Sequence, residues 1–557
     1  MKKLKVGLIV DDGEQSYSNF DLYRRSLDGL NYSIECLIVQ RPIRVRNEST
    51  DANMPDLEKV GAFKRFVDRL LLSMVEKFEM QIARRNAKFQ ECLELHSLAR
   101  FEIPKINVEP TISEAGLDYT YSEADLKELR SKELDVLVHG GSGVLRGDIL
   151  ATCPYGIISL QHSKRNNNIS GPPGFWEVLN RDASTEFVVQ RQSPDSEVGD
   201  VLFRGSIATT FLYTLNACRL RIKSSVFLHK TLENIAKREG RMHVFPESPP
   251  CKQMLKSPSA VHTFTYLLKT FTHGSRKVIG KLAGRTYRWS VAYQYTDDWK
   301  GAVLGSSTVI KNPPRRFLAD PFVITRNGQT VVFAEDYDYR TGRGKISAFE
   351  ISLDGNKELG VALDENFHLS YPFLFCKGDD LYMIPETHQA GEIRIYKSVD
   401  FPLKWDLHRA IMKGVSAADT GIFRSGEKYW MFTNMDSSEL GDHGSELHVF
   451  YADRFDSTEW NAHPNNPVIV DSMRGRNGGL ILFEDEVYRV FQSQGFDMYG
   501  AAMGIAKVTC LDEDRYDEEL LLEIPAKFMK DIRGAHTFSF DAGVLCLDFV
   551  KYEGTRS

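Results

Sequence analysis

The sequence predicts a multidomain α/β plus all-β protein: an open, mostly parallel α/β domain, a helical connection and a five-bladed β-propeller. Three observations predict it. Apolar strand-like runs alternate with helical patterns over residues 1–210, the order that builds parallel sheets. Residues 211–285 read as helices interrupted by FPESPPCKQ, with a basic balance. From residue 286 onward, short aromatic and β-branched runs between turns repeat in units of about 50 residues.

Lys3 to Val10 alternates and then runs apolar, which suits a buried strand. Ser33 to Val39 is of the same type. The apolar run after the leading lysines stops at Asp11-Asp12 with no small-residue cleavage site, so it is read as a first strand and not as a signal peptide. A helical insertion follows over about 61–100, where apolar residues recur at three and four positions without proline. Such a face suits a membrane surface as well as a core. The interleaved Asp and Glu favour packing within or between domains. YSEADLKELRSK has Ser122 as N-cap and an acidic first turn, hence a helix. LDVLVHGGSGVLRGDIL is then a buried strand ending in a Gly-rich turn, and YGIISLQHS is the next strand. Ligands of open α/β sheets bind beyond such strand ends.

After Tyr287, "ADPFVI", "SYPFLF", "ADTGIF", "GRNGGLIL" and "GAHTFSF" each open a unit, and a turn and a second apolar strand follow each. With Asp320, Tyr371, Asp419, Asn477 and His536 as equivalent positions, the spacings are 51, 48, 58 and 59 residues. This is the period of four-stranded propeller blades, and five units make five blades. TYRWSVAYQY, before the first unit, supplies the strand that closes the ring.

Composition excludes several classes. A net charge of -6 argues against a general nucleic-acid binder. No apolar run is long enough for a membrane span. Eight scattered cysteines without a CxxC pair or zinc spacing are read as reduced and structural, which gives a cytoplasmic expectation and no metal site. Oligomeric state is not legible.

The stretch DVLVHGGSGVLRGDILATCPYGIISLQHSKRNNNISGPPGFWEVLNRD, with the later SEVGDVLFRG, resembles the formyltransferase domain of methionyl-tRNA and sugar N-formyltransferases, over roughly residues 1–210. The resemblance implies a Rossmann-like formyltransferase fold, 10-formyltetrahydrofolate as cofactor, and an Asn, a His and an Asp that handle the oxyanion and the amine proton. In this sequence those positions hold Ser159, Gln161 and Glu197, and His162 lies one residue beyond. These four are the candidate catalytic residues. On a regular strand, His162 points to the opposite face from Gln161 unless a bulge turns it. Lys164, Arg165, Asn166 and Asn168 are candidate substrate donors. Gly140, Gly141 and Gly143 are expected along the cofactor pocket. As a phosphate cradle that turn is a weak signal, since no Walker lysine accompanies it. Gly171-Pro172-Pro173-Gly174 also reads as a rigid turn ahead of a helix.

"ADPF" resembles the blade starts of five-bladed glycosidase propellers, and "YPFLF…LYMIPET…GEIRIYKSVDFPLKW" is similar to the N-terminal domain of plant glucosamine inositolphosphorylceramide transferases. The resemblance places Asp320, Glu386, Asp419, Arg476 and His536 around a sugar-binding funnel. Asn477 stands where a third glycosidase carboxylate is expected, and Asn cannot act as an acid. ADP and DTG also serve simply as local turn formers.

Three functions follow as expectations. The first is a carbohydrate-modifying transferase that moves a formyl or other acyl unit onto an amino sugar, nucleotide sugar or glycan held by the propeller. The second is a glycoside-active enzyme with its chemistry in the funnel. The third is a glycan-binding protein without catalysis.

Overall fold

The computed structural model describes residues 3–44, 56–98, 101–113, 118–162, 171–194, 196–238, 240, 242, 244–245 and 257–554. The chain divides into two compact units, Met1–Phe271 and Thr272–Ser557.

The first unit is mixed α/β. Its elements are β1 (Leu4–Asp11), α1 (Tyr17–Asp28), β2 (Tyr32–Gln40), α2 (Asp56–Ala83), α3 (Ala87–Leu93), β3 (Lys105–Val108), α4 (Glu123–Arg130), β4 (Val136–His139), β5 (Ile157–Gln161), α5 (Phe175–Asn180), β6 (Ser184–Ser193), β7 (Ser196–Ala208) and α6 (Tyr213–Lys237). The seven strands form one sheet in the order β7-β6-β5-β4-β1-β2-β3. Pairing is parallel from β5 to β3, and β6 and β7 add an antiparallel hairpin at one edge. The central strands are apolar on both faces because both are covered. Val6, Leu8, Val136 and Ile158 pack towards Leu228 and Leu232 of α6. Ile9, Leu137 and Ile157 pack on the other side with Leu126 and Leu129 of α4. Ser122 and Asp125 close a capping box on α4, as the YSEAD pattern requires.

The structure corrects the first part of the connection expected over residues 211–285. Helix α6 belongs to the first unit, packed along α1 and the hairpin β6–β7, with Cys218, Leu220 and Leu232 fully buried. It also corrects the expectation for residues 61–100: the apolar stripe of α2 (Phe63, Phe66, Leu70, Met74, Phe78) is exposed, and the opposite face (Val75, Glu79, Ala83) is buried.

The second unit is rich in sheet. After α7 (Ala260–Leu282), which runs across the division, come β8 (Arg285–Tyr295), β9 (Arg316–Arg326), β10 (Gln329–Asp338), β11 (Arg343–Ser352), β12 (Gly355–Leu363), β13 (Ser370–Lys377), β14 (Asp380–Glu386), β15 (Glu392–Asp400), β16 (Lys404–Lys413), β17 (Ala418–Ser425), β18 (Lys428–Asn434), β19 (Glu446–Ala452), β20 (Arg476–Phe483), β21 (Glu486–Gly495), β22 (Met498–Leu511), β23 (Tyr516–Pro525), β24 (Ile532–Gly534), β25 (Phe538–Asp541) and β26 (Val544–Gly554). Successive strands pair antiparallel in the sheets β9–β12, β13–β16 and β20–β23. A third group, β17–β19, is completed by the short strands Asn461–Ala462 and Ile469–Val470. The fifth sheet joins the two ends of the unit: β8 pairs with β26 from Arg285↔Gly554 to Tyr295↔Val544. The opening strands lie side by side, β9 by β13, β13 by β17, β17 by β20 and β20 by β25, and β25 also lies by β9.

Within the fourth sheet Arg489, fully buried, is held by Glu518 through two 2.7 Å contacts. Burial leaves an arginine no other stable state than a paired one. Of the seven described cysteines, five are buried and none is in a disulfide; Cys376 is exposed. No described helix is long and apolar enough to cross a membrane.

Candidate functional site: a buried charge cluster at the opening strands of the second unit

Three of the five repeat-opening residues share one backbone distortion. Asp320, Tyr371 and Asp419 all have left-handed φ, at 49°, 45° and 48°. In each case the register of the opening strand slips there, between Ala319 and Phe322, Ser370 and Phe373, and Ala418 and Gly421. The fourth opening strand slips between Asn477 and Gly479, where Gly479 has φ 142°. Asp tolerates the left-handed region because its short side chain bonds locally. For tyrosine the conformation costs of the order of 1–3 kcal/mol, and such strain concentrates at functional sites. The bulge turns these side chains out of the regular alternation and into one cluster.

The cluster has two connected halves. In the first, Arg476 Nε donates to Asp419 Oδ2 at 2.6 Å, and its other end lies 3.6 Å from Glu386 Oε2. Gln492 also donates to Asp419 Oδ2 (3.1 Å), and Asn477 Nδ2 donates to the Asp419 carbonyl (3.0 Å). His388 contacts Glu386 Oε1 at 2.8 Å, and the Arg476 guanidinium lies 4.9 Å from the centre of the Tyr499 ring. In the second half, Thr537 donates to Asp320 Oδ1 (2.7 Å), with His536 Nε2 3.7 Å from the same oxygen. The other ring nitrogen of His536 is 2.6 Å from Asp548 Oδ2. Trp289 of β8 stacks on His536 at 3.8 Å, nearly parallel. The amides of His536, Thr537 and Asp320 all donate to Asp548.

Burial and neighbouring charge set the protonation states. For Glu386, burial opposes ionisation, but the His388 hydrogen bond and the Arg476 charge overcome it and hold the carboxyl down at about 2. Burial drives Asp419 the other way, to about 8: Arg476 opposes the shift, while Glu386 and Asp320 reinforce it. Burial, then the neighbouring carboxylates, also lifts Glu335 well above the carboxylate range. Asp320 rises by burial in spite of His536. Burial would depress His536, but Asp548 and Asp320 raise it. One arginine cannot neutralise two adjacent carboxylates, so the pair keeps a proton at neutral pH, and His388 assigns the charge to Glu386. Tyr371 Oη and Glu386 Oε2 are buried without a protein hydrogen-bond partner among the described residues.

The sign of the pH dependence follows. Asp419, Glu335 and Asp320 bind protons more tightly folded than unfolded, so each lowers stability as pH rises from the unfolded carboxylate range to its raised folded value, about 8 for Asp419. His536, raised when folded, contributes stability that is present below its unfolded value and is also lost as pH rises. Glu386 acts only in acid: its contribution holds above the unfolded value and falls away as pH drops towards about 2. The second unit is therefore expected to melt at a lower temperature at pH 8 than at pH 5.5. Asp419→Asn should flatten that slope, as a calorimetric pH series would show.

The residues expected around the funnel, Asp320, Glu386, Asp419, Arg476 and His536, thus lie in these two halves. Sequence reasoning passed over His388, Gln492, Asp548 and Trp289. Asp548 carried a signal, a charge in the otherwise apolar run VLCLDFV; the other three carried none. Glu335 and Asp336 separate by strand alternation. Glu335 joins the cluster, while Asp336 turns to Ser347 (2.7 Å) and Arg316 (2.9 Å).

In the first unit Ser159 and Gln161 lie together, and His162 does not join them. Ser159 is buried, and Gln161, two positions on, donates to its hydroxyl at 3.3 Å. His162 follows the strand's alternation to the other face, where its Nε2 lies 3.0 Å from Ser224 Oγ of α6. Burial and then Arg221 hold the imidazole neutral, at about 3. The Glu197 side chain and residues Lys164, Arg165, Asn166 and Asn168 lie outside the described residues. The turn of Gly140, Gly141 and Gly143 is closed by the protein itself. Asp11 accepts the Ser142 amide at 3.0 Å, Gln40 donates to the Ser142 carbonyl (2.8 Å), and Asn19 donates to the Gly140 carbonyl (3.0 Å). A carboxylate on the turn's own amide repels an anion there. Gly174, at φ 77°, starts α5 and sets Phe175 against Tyr213 and Tyr266, so the Gly-Pro-Pro-Gly turn has a packing role.

Fold and cluster together define a class: a mixed α/β unit joined to a sheet-rich unit whose opening strands gather buried carboxylates around an arginine. Residues 299–545 match the family described as glucosamine inositolphosphorylceramide transferase 1, N-terminal. The protein of that name from Arabidopsis thaliana is 31% identical over 232 residues, 41% of this chain and 29% of that protein. The one from Oryza sativa subsp. indica is 30% identical over 249 residues, 43% and 32%. The chain thus spans about a third of the length of these curated relatives. Similar solved structures include the catalytic domain of Coprinopsis cinerea GH62 α-L-arabinofuranosidase, with a TM-score of 0.33 and 12% identity over 48% of this chain and 99% of that one. Another is phosphoribosylglycinamide formyltransferase from Anaplasma phagocytophilum, with a TM-score of 0.27 and 12% identity over 46% and 99%.

Proposed function

We propose that the chain is a carbohydrate-modifying transferase whose second unit is a five-bladed β-propeller, with a glycosyl group bound at the Glu386–Asp419–Arg476 cluster. The propeller reading rests on five successive sheets with adjoining opening strands, and on β8 completing the sheet of β26. The observation that carries the function is the pair of buried polar atoms without a hydrogen-bond partner among the described residues, Tyr371 Oη and Glu386 Oε2, the latter 3.6 Å from Arg476, in a cluster with the Tyr499 ring. Sugar hydroxyls supply both donors and acceptors to such atoms, and an aromatic ring packs against the apolar face of a pyranose. The relatives' name makes glucosamine and glucosamine-bearing glycans or nucleotide sugars the first ligands to test.

The opposite protonation of Glu386 and Asp419 favours a second reading, glycoside chemistry at this centre. Asp419 holds a proton to give to a leaving oxygen, and Glu386 carries the negative charge that stabilises positive charge developing on the sugar. The two readings part on one comparison. Glu386→Gln is expected to weaken glucosamine binding at least about tenfold by calorimetric titration, since it removes a charge-assisted contact. If Asp419→Asn then abolishes turnover of a bound glycoside while binding persists, the centre is catalytic. If neither substitution changes binding, the sugar is held elsewhere.

Formyl transfer from 10-formyltetrahydrofolate needs an imidazole beside the oxyanion donors. The described residues do not fit it: Ser159 and Gln161 stand on one strand face, His162 is turned to Ser224, and the glycine turn is filled by Asp11, Asn19 and Gln40. His162→Ala is accordingly expected to leave glycan modification unchanged. A folate analogue that bound in titration and lost affinity on that substitution would restore the formyl reading. Cytoplasmic location, argued from the cysteines, belongs to the same proposal.

A further inference from the structure

We propose that the face formed by α2 and the first half of α7 docks on an anionic lipid surface. This is independent of the sugar site and arises wholly within the first unit. The two helices are fixed together on their inner sides. The Asp68 carboxylate accepts the Ala260 amide at the start of α7 (2.6 Å), and the Tyr266 hydroxyl donates to Glu79. Glu79 also accepts the Thr214 amide (2.8 Å) and Glu76 accepts from the Tyr213 hydroxyl (3.3 Å), which ties α2 to α6. On the outer sides, large apolar residues stand in solvent: Phe66, Met74 and Phe78 on α2 are 62%, 60% and 68% exposed, and Val261, Phe264 and Phe271 on α7 are 72%, 68% and 73% exposed. Large apolar side chains exposed in rows on two linked helices mark an interaction surface.

Charge selects the occupant. The interleaved acids of α2 suggested core packing in the sequence, but in the fold Asp68, Glu76 and Glu79 are all consumed by the inward contacts. The exposed charges that remain among the described residues of α2, and just beyond its end, are Lys64, Arg69, Lys77, Arg84 and Arg85. None of them takes part in an ion pair among the described residues. By 100° per residue, Lys64 and Arg69 border the apolar stripe on its two sides, while Lys77 lies within its edge. The α7 segment 260–271 contains no acidic residue. A second copy would bring these basic rims against each other without counter-charges. Lipid headgroups of negative charge satisfy them, while the aromatic rings enter the headgroup–acyl boundary, as for amphipathic helices lying in an interface.

The test is co-sedimentation of the full chain with vesicles of phosphatidylcholine alone and of phosphatidylcholine mixed with phosphatidylglycerol, alongside its mass in solution by sedimentation equilibrium. The expected result is partition onto the anionic vesicles only, weakened by raised ionic strength. Phe66→Glu with Phe264→Glu should lower partition about tenfold or more, and Arg69→Glu about fivefold, with circular dichroism unchanged. Failure of the unaltered chain to bind anionic vesicles overturns the proposal, as does binding that ignores both sets of substitutions. A dimer in solution that the double Phe variant dissociates, without vesicle binding, would make a second copy the occupant and overturn it equally.

Discussion

Arg476→Met is expected to abolish glycan binding and to lower the thermal midpoint of the second unit by roughly 10 °C, the consequence of removing one member of a buried ion pair at about 3–5 kcal/mol. Among the described residues Arg476 is the one positive charge in contact with both Glu386 and Asp419. Without it, two nearly inaccessible carboxyl groups face each other, and both must take up protons for the fold to persist. The lost stability should therefore return in part at low pH, which separates this mechanism from simple loss of packing. Thermal unfolding of Arg476→Met at pH 5 and pH 8, beside glucosamine titration, makes the measurement. A variant that melts like the unaltered protein at pH 8 would show that the cluster is solvated and that its charges are not coupled.

Removing β8 is expected to have the largest effect on folding. A fragment comprising residues 272–557 should fold, while one comprising 298–557 should not. Strand β26 carries Leu545, Cys546, Leu547 and Phe549, all buried, and among the described residues its only full-length partner is β8. Deleting β8 exposes that row of backbone donors and acceptors, a template for aggregation. It also removes Trp289 from the ring of His536 and Val291 from the core shared with Leu318 and Val323. A point substitution probes the same seam: Trp289→Ala should cost of the order of 3 kcal/mol, at the lower end for a large aromatic because Trp289 is not fully buried. Cooperative unfolding of the 298–557 fragment by circular dichroism would refute the seam's importance. The matched family region begins at residue 299, after β8, so sequence similarity alone would place the boundary in the wrong position.

The repeat was the most legible feature, because a strand announces itself locally: alternation, a turn, alternation again. The equivalence of Asp320, Tyr371 and Asp419 read from spacing reappears as three matching bulges with left-handed φ. The first unit's sheet was legible for the same reason, as apolar runs too continuous for one-sided strands. The apolar stripe of α2 is legible in the sequence as a stripe, but its exposure is not. Periodicity shows which residues share a face, and only neighbouring helices decide whether that face is covered. The place of α6 within residues 211–285 is illegible for the same reason, since helices that connect and helices that cover a sheet have the same local pattern.

By itself the sequence determined what is local: strand and helix types, the 48- to 59-residue repeat, the capping of α4, and the polar residues that open the units. Tertiary structure alone decided which polar residues meet. His388, Gln492, Asp548 and Trp289 reach the cluster from four different strands or turns, with sequence separations no pattern links. It also decided their charge. Whether Glu386 is ionised and Asp419 protonated depends on the distance to one guanidinium and on the exclusion of water, and both are properties of the packed chain. The same holds for His162, whose side is fixed by strand parity but whose partner, Ser224, is supplied by a helix 62 residues away in the chain.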